Sequence, residues 1–251
     1  MTVSRKVSFA ILNHHNESKV VLDTISMMDR RRVHFIVKVF IVNILQIFFS
    51  IFLTVLMEIL NPLNNFQQNH IWFVPVLIFI SIGVTLVTFI TPKVQHIKLL
   101  NDFLLFLFTL SFGGLIACLS VYVHGIFLFV SWIMAIILSI IIFTIACQMK
   151  QDITPYFLPF LIYGAGIIIA GGIAYIVLYF SEYYTTGQHV LGVCILLVAI
   201  PISLIESQML AGGRRLIFDT NDYILVTMFH WILVSFSYSG LIFQFLEIWF
   251  P

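Results

Sequence analysis

An all-α, polytopic membrane fold with seven transmembrane helices follows from three features of this sequence. Of its 251 residues, 61% are hydrophobic and 9% charged, with a mean hydropathy of +1.09; soluble domains are about 45–50% apolar and about 25% charged. The apolar residues fall into seven runs, each close to the ~20 residues that cross ~30 Å of hydrocarbon at 1.5 Å per residue. All twelve Lys and Arg fall on one side of the topology those runs imply.

Residues 1–32 form the only extended polar stretch, a basic N-terminal tail. Residues 33–251 form the membrane domain. Its runs lie near 35–60, 71–90, 99–121, 126–147, 156–180, 190–210 and 223–247. The first is too long for a signal-peptide core of about 7–15 residues and has no small-residue cleavage site, so it acts as an uncleaved span. Asn61-Pro62 ends it, Thr91-Pro92 ends the second, Thr154-Pro155 precedes the fifth, and Ala211-Gly212-Gly213 separates the last two. Long continuous runs disfavour β-barrel strands, which alternate over about ten residues.

Orientation follows from Lys and Arg being retained in short cytoplasmic loops. Arg5, Lys6, Lys19 and Arg30–Arg32 occupy the tail, and Lys38 the mouth of the first span. Lys93 and Lys98, Lys150, and Arg214 with Arg215 occupy the second, fourth and sixth loops. A cytosolic N-terminus places all twelve inside, and the Asn16-Glu17-Ser18 sequon then stays unglycosylated. An odd number of spans puts the C-terminal Glu247-Ile248-Trp249-Phe250-Pro251 on the far side as an interfacial anchor. The net charge of +1 gives no reason to expect nucleic acid as a partner; the lipid bilayer is the expected one. Cys118, Cys147 and Cys194 are odd in number, lack metal-ligand spacing and read as small hydrophobes. Gly166, Ala170 and Ala174 recur every four residues, a smooth stripe on which another helix can pack.

Charge at mid-bilayer costs about 2.5–3.5 kcal/mol even on lenient insertion scales, so embedded ionisable groups are the functional candidates. Lys38, Glu58, Asp102 and Glu247 lie near span ends and can snorkel. Glu206 differs, because a sixth span of ordinary length must include it and Gln208. Pro201, five positions earlier, deprives the Leu197 carbonyl of its helical donor and favours a kink. The bland alternative for Glu206 is a helix-end carboxylate in water, paired with Arg214 or Arg215. His230 lies inside the seventh span, and an imidazole can change charge between about pH 5 and 8. Asn43 and Gln46, three apart, read as interhelical hydrogen-bond groups. HExxH, GxSxG, paired catalytic carboxylates and a Walker loop are all missing from the sequence, so no enzyme and no cofactor are expected.

Several stretches resemble the Bax-inhibitor, or lifeguard, family of seven-span membrane proteins. Arg32-Val33-His34-Phe35-Ile36-Val37-Lys38-Val39-Phe40, with Gln46 following, is similar to that family's R-x-x-F-x-x-K-V-Y/F opening. Asn101-Asp102-Phe103-Leu104-Leu105-Phe106-Leu107-Phe108-Thr109 and Gln148-Met149-Lys150-Gln151-Asp152 are further similar stretches. Glu206-Ser207-Gln208-Met209-Leu210-Ala211-Gly212-Gly213, then Asp222-Tyr223, is similar to D-T-Q-x-x-x-G-G…E-Y. The likeness covers about residues 30–247. It implies six helices around a central seventh, residence in the endoplasmic reticulum, Golgi or plasma membrane, calcium leak, and inhibition of apoptosis alongside other membrane proteins that regulate it.

In that family two facing aspartates in the last two spans share a proton at the gate. By resemblance the first corresponds to Glu206, which keeps the acid and would be the calcium ligand. The second corresponds by ungapped counting to Leu233, which cannot titrate. His230, three residues before it, projects from a similar helical face. Glu206 and His230 are therefore expected to form a substitute pH-sensing pair supported by Pro201, Gln208, Arg214 and Arg215. Contact within roughly 2.6–3.2 Å is what that pairing requires. A non-conducting membrane adaptor acting through protein contacts is the alternative.

Overall fold

The computed structural model describes the backbone of residues 3–60, 72–90, 97–120, 123, 125–212, 216, 218 and 223–245, and within these the side chains from residue 30 onward, except 58, 89, 90, 98, 119, 120, 125, 184 and 245. Seven α-helices follow in order among these residues: α1 Val3–Ile59, α2 Phe73–Ile90, α3 Lys98–Ser120, α4 Gly125–Gln148, α5 Phe157–Phe180, α6 Tyr184–Ala211 and α7 Tyr223–Phe245, with a 3-10 turn Thr154–Tyr156 before α5. Six are long and apolar enough to cross a membrane; the apolar stretch of α2, Phe73–Thr88, is shorter. The chain is an all-α, multi-pass membrane protein.

Of the tail expected at 1–32, residues 3–32 form the first half of α1. Before Pro62 the sequence contains neither Gly nor Pro, so nothing interrupts the i to i−4 ladder on the way into the first span. Arg214, Arg215, Asp222 and the C-terminal anchor Glu247–Pro251 lie outside the described residues, as does the side chain of Glu58.

Helix α7 is central. It packs against α1, α2, α3, α4 and α6, and Phe229 receives Phe157 from the first turn of α5 edge-on at 5.8 Å. Around its midpoint Trp132 of α4 stacks on Trp231 and Tyr238, with ring centroids 5.7 and 4.1 Å apart. Close approach of α6 and α7 depends on Gly192 and Gly240. A methyl on Gly192 would stand 2.9 Å from the Gly240 carbonyl oxygen, and one on Gly240 would stand 2.7 Å from Leu196.

Helix α5 lies on the outside of α6. Its contact face is Gly164 and Gly171, both buried, where an added Cβ would meet Val198 at 2.7 Å and Cys194 at 2.9 Å. The Gly166, Ala170, Ala174 stripe expected to receive a helix points elsewhere: Gly166 and Ala170 are exposed, and a Cβ on Gly166 would meet nothing. The face used is the one that the branched Val198 and the Cys194 thiol can enter. None of the three cysteines is joined in a disulfide.

At the basic end of the bundle α1 is tied to α6 and α7. The Arg32 guanidinium donates to the Leu210 carbonyl at 2.9 Å and to the Met209 and Phe218 carbonyls. The Met209 and Leu210 carbonyls are ones that the C-terminus of α6 leaves without intrahelical donors, and the cation also meets the negative end of the helix dipole. Gly212 caps α6 at φ 85°, a left-handed conformation, and a Cβ there would stand 3.0 Å from Arg32 Nε. Lys38 sits over the Tyr223 ring at 3.2 Å, and the Tyr223 hydroxyl donates to Asp102 at 3.4 Å, so Tyr223 of α7 links the end-of-span charges of α1 and α3.

Candidate functional site

Glu206 and His230 meet between α6 and α7. These helices run antiparallel, so a residue five positions before the end of α6 comes level with one seven positions after the start of α7. His230 Nδ1 lies 3.0 Å from Glu206 Oε2, within the range that pairing requires. Glu206 is 0% exposed and His230 4%. The alternative of a glutamate in open water is excluded by that burial.

The ring is held on three sides. With Glu206 ionised, Nδ1–H donates to the carboxylate. Nε2 then faces the Ser139 hydroxyl of α4 at 3.4 Å, accepting from it in the neutral ring and donating to it in the imidazolium. Phe40 of α1 presents its ring edge-on to the imidazole, centroids 5.3 Å apart, and Phe143 of α4 lies edge-on to Phe40 at 5.1 Å. Glu206 Oε1 has no hydrogen-bond partner among the described residues. A buried carboxylate oxygen left so is costly in a low-dielectric interior and is the atom with capacity for a further donor or a cation.

Leu233 is 3% exposed and sits with Val198 and Ile202 in an apolar cluster flanked by Phe229. Among the described residues no second acid comes to Glu206 there. Among the described residues no group of three or more His, Cys, Asp or Glu side chains is assembled as a metal site. Calcium takes six to eight oxygens, and the Glu206 carboxylate supplies at most two.

The residues expected to support Glu206 divide. Pro201 lies inside α6, and the helix continues through it to Ala211. Gln208 is 0% exposed but serves the α4–α5 connection: its Oε1 accepts the Ile153 N–H at 3.1 Å and its Nε2 donates to the Gln151 carbonyl at 3.0 Å. Two residues along a helix are turned by about 200°, so Gln208 cannot share the face of Glu206. Gln208 is thus a strap on a loop, which corrects its expected place beside the acid. Asp152 reinforces the same loop by accepting from the Thr154 N–H and hydroxyl, and Thr154 Oγ1 accepts the Leu216 N–H at 3.1 Å. Arg214 and Arg215 fall outside the described residues, and the cation seen at the end of α6 is Arg32. In the sequence Arg32 is the last of three consecutive arginines at the mouth of the first span, and periodicity cannot connect it to a helix end 177 or more residues away.

Gln46 donates to Thr109 of α3 at 2.9 Å and is an interhelical group, whereas Asn43 donates to its own helix at the Val39 carbonyl. Comparison with protein-family models, curated proteins and solved structures finds no match to this chain.

Proposed function

We propose that this chain is a membrane protein of Bax-inhibitor type: a calcium leak, or a modulator of intracellular calcium stores, that lowers sensitivity to apoptosis. It is a passive conduit and not an enzyme, and its membrane is that of the endoplasmic reticulum, Golgi or cell surface, with the N-terminus cytosolic. The observation that carries this reading is a fully buried carboxylate with one oxygen on an imidazole and the other without a partner. A sequestered acid is retained in a bundle at a cost, which is the usual mark of an ion or proton path.

In this mechanism a cation arriving at the basic end of α6 and α7 meets Glu206 Oε1 and passes on, since a single carboxylate binds weakly. Protonation of His230 locks the acid in an ion pair and leaves less negative charge for the cation, so the leak slows as pH falls. The groups facing the pair from α4 and α1 are Ser139 and Phe40, neither of which titrates in this range.

Calcium efflux from proteoliposomes across about pH 5.5–8 tests the reading. Glu206→Gln is expected to lower efflux and flatten its pH profile, and His230→Leu to flatten the profile alone. Efflux from the wild type above that of empty vesicles but unchanged by both substitutions would overturn it. The apolar surroundings of Leu233, where the resemblance implies a second acid, favour a second reading as a non-conducting adaptor for apoptosis-regulating membrane proteins. Wild-type vesicles no leakier than empty ones would select it.

A further inference from the structure

Away from the Glu206–His230 pair, α1 carries a file of buried polar side chains: Asn43, Gln46, Ser50 and Thr54, exposed by 3, 3, 0 and 4%. Spacings of three, four and four put them on one face, over about 16 Å of helix at 1.5 Å per residue. The face is fixed by its neighbours. Gln46 bonds Thr109 of α3, and Ser50 stands where Gly113 of α3 leaves room, since a Cβ on Gly113 would be 2.7 Å from Ser50 Oγ. Phe40, on the other flank, meets His230 of α7. At about 100° per residue Asn43, Ser50 and Thr54 fall in the arc between Gln46 and Phe40, toward the seam of α1 with α3 and α7.

Asn43 Oδ1, Gln46 Oε1, Ser50 Oγ and Thr54 Oγ1 have no hydrogen-bond partner among the described residues. The two hydroxyls are the informative pair. Many helical hydroxyls elsewhere in the bundle are satisfied by the carbonyl four residues back, as at Ser81, Thr85, Thr88, Thr109, Thr144, Thr227, Ser237 and Ser239. Among the described residues Ser131 of α4 and Ser235 of α7 are unpartnered singly, whereas Ser50 and Thr54 are so on successive turns of one face. Ser50 and Thr54 do not use that local acceptor and point into the seam instead. Hydrocarbon offers no partner, and four orphaned polar atoms in one file would be a heavy accumulated penalty.

We infer that this seam is a binding site for a file of water running along α1 through the interior of the bundle. The donor set selects water over an ion. Amide carbonyls only accept, whereas hydroxyls donate and accept, and water complements both. The oxygens are strung over about 16 Å, whereas a dication gathers its ligands within about 2.3–2.6 Å of one point. On its basic side the file ends at Val39, which is buried with Phe35, Leu210 and Val226 in an apolar cluster. The inference does not rest on calcium conduction: an adaptor would carry the same wet seam.

Two measurements on the full-length protein in liposomes test it. In a background lacking Cys118, Cys147 and Cys194, Ser50→Cys and Thr54→Cys are exposed to silver ion, and protection from alkylation after denaturation is read. Both are expected to react about tenfold or more faster than Ala135→Cys and Ala199→Cys at dry buried positions, because a thiol needs water to ionise. Rates equal to those controls would overturn the inference. In the wild-type background Thr54→Val is expected to lower the unfolding midpoint, since it strands a bound water. A raised midpoint, the sign of relieving a dry orphan hydroxyl, would overturn it equally.

Discussion

Helices α5 and α7 are of nearly equal length and sit in opposite environments. In α7, 67% of the most apolar stretch is buried, against 11% in α5. The more polar helix is the central one. His230, Trp231, Ser235, Ser237 and Tyr238 are all buried on α7, whereas the apolar Leu158, Ile162, Ile169, Ile173 and Ile176 are exposed on α5. In water the order would be reversed. In lipid the outward surface is already in an apolar solvent, so burial is driven by packing and by the need of polar groups for one another. Central position follows from having polar groups to satisfy.

Three substitutions probe that contrast through unfolding midpoints of the purified protein. The largest effect is expected from His230→Leu in α7, about 3–5 kcal/mol of destabilisation, because it leaves the Glu206 carboxylate buried without its partner. An unchanged midpoint would mean that the pair contributes nothing to holding α7 at the centre. Gly192→Ala comes next, at about 1–3 kcal/mol, since the new methyl meets the Phe243 Cβ and the Gly240 carbonyl of α7, which cannot swing aside as the Gln244 amide beside them can. The smallest is Gly166→Ala on the exposed face of α5, neutral or up to about 1 kcal/mol stabilising from helix propensity. A clear loss there would show that this face receives another helix after all.

How far the site can be read along the chain depends on whether its parts are local. Pro201, Glu206 and the α6 terminus lie within a few turns, and span length alone brings Glu206 inside the membrane. Asn43, Gln46, Ser50 and Thr54 carry a 3-4-4 spacing that marks one polar face, and that signal was open to use. The partners were not readable in this way. His230 could be nominated as an embedded imidazole but paired with Glu206 only through a resemblance, because nothing in the residues between them sets the height at which two antiparallel helices cross. The Gly166 stripe misleads for the same reason: α5 has small residues on more than one face, and which face is used depends on Val198 and Cys194 of a different helix.

Composition and apolar run length by themselves determine that this chain is a set of membrane-crossing helices, because lipid forces each long apolar segment to satisfy its backbone internally. The absence of Gly and Pro before Pro62 determines that the first helix runs unbroken into its span. Tertiary structure decides which helix is central, which glycines are contacts, that Arg32 of α1 closes α6, and that Gln208 holds a loop while Glu206 faces an imidazole. Each of these rests on the rotation and height of one helix against another, and such rigid-body freedoms leave no trace in a local pattern of residues.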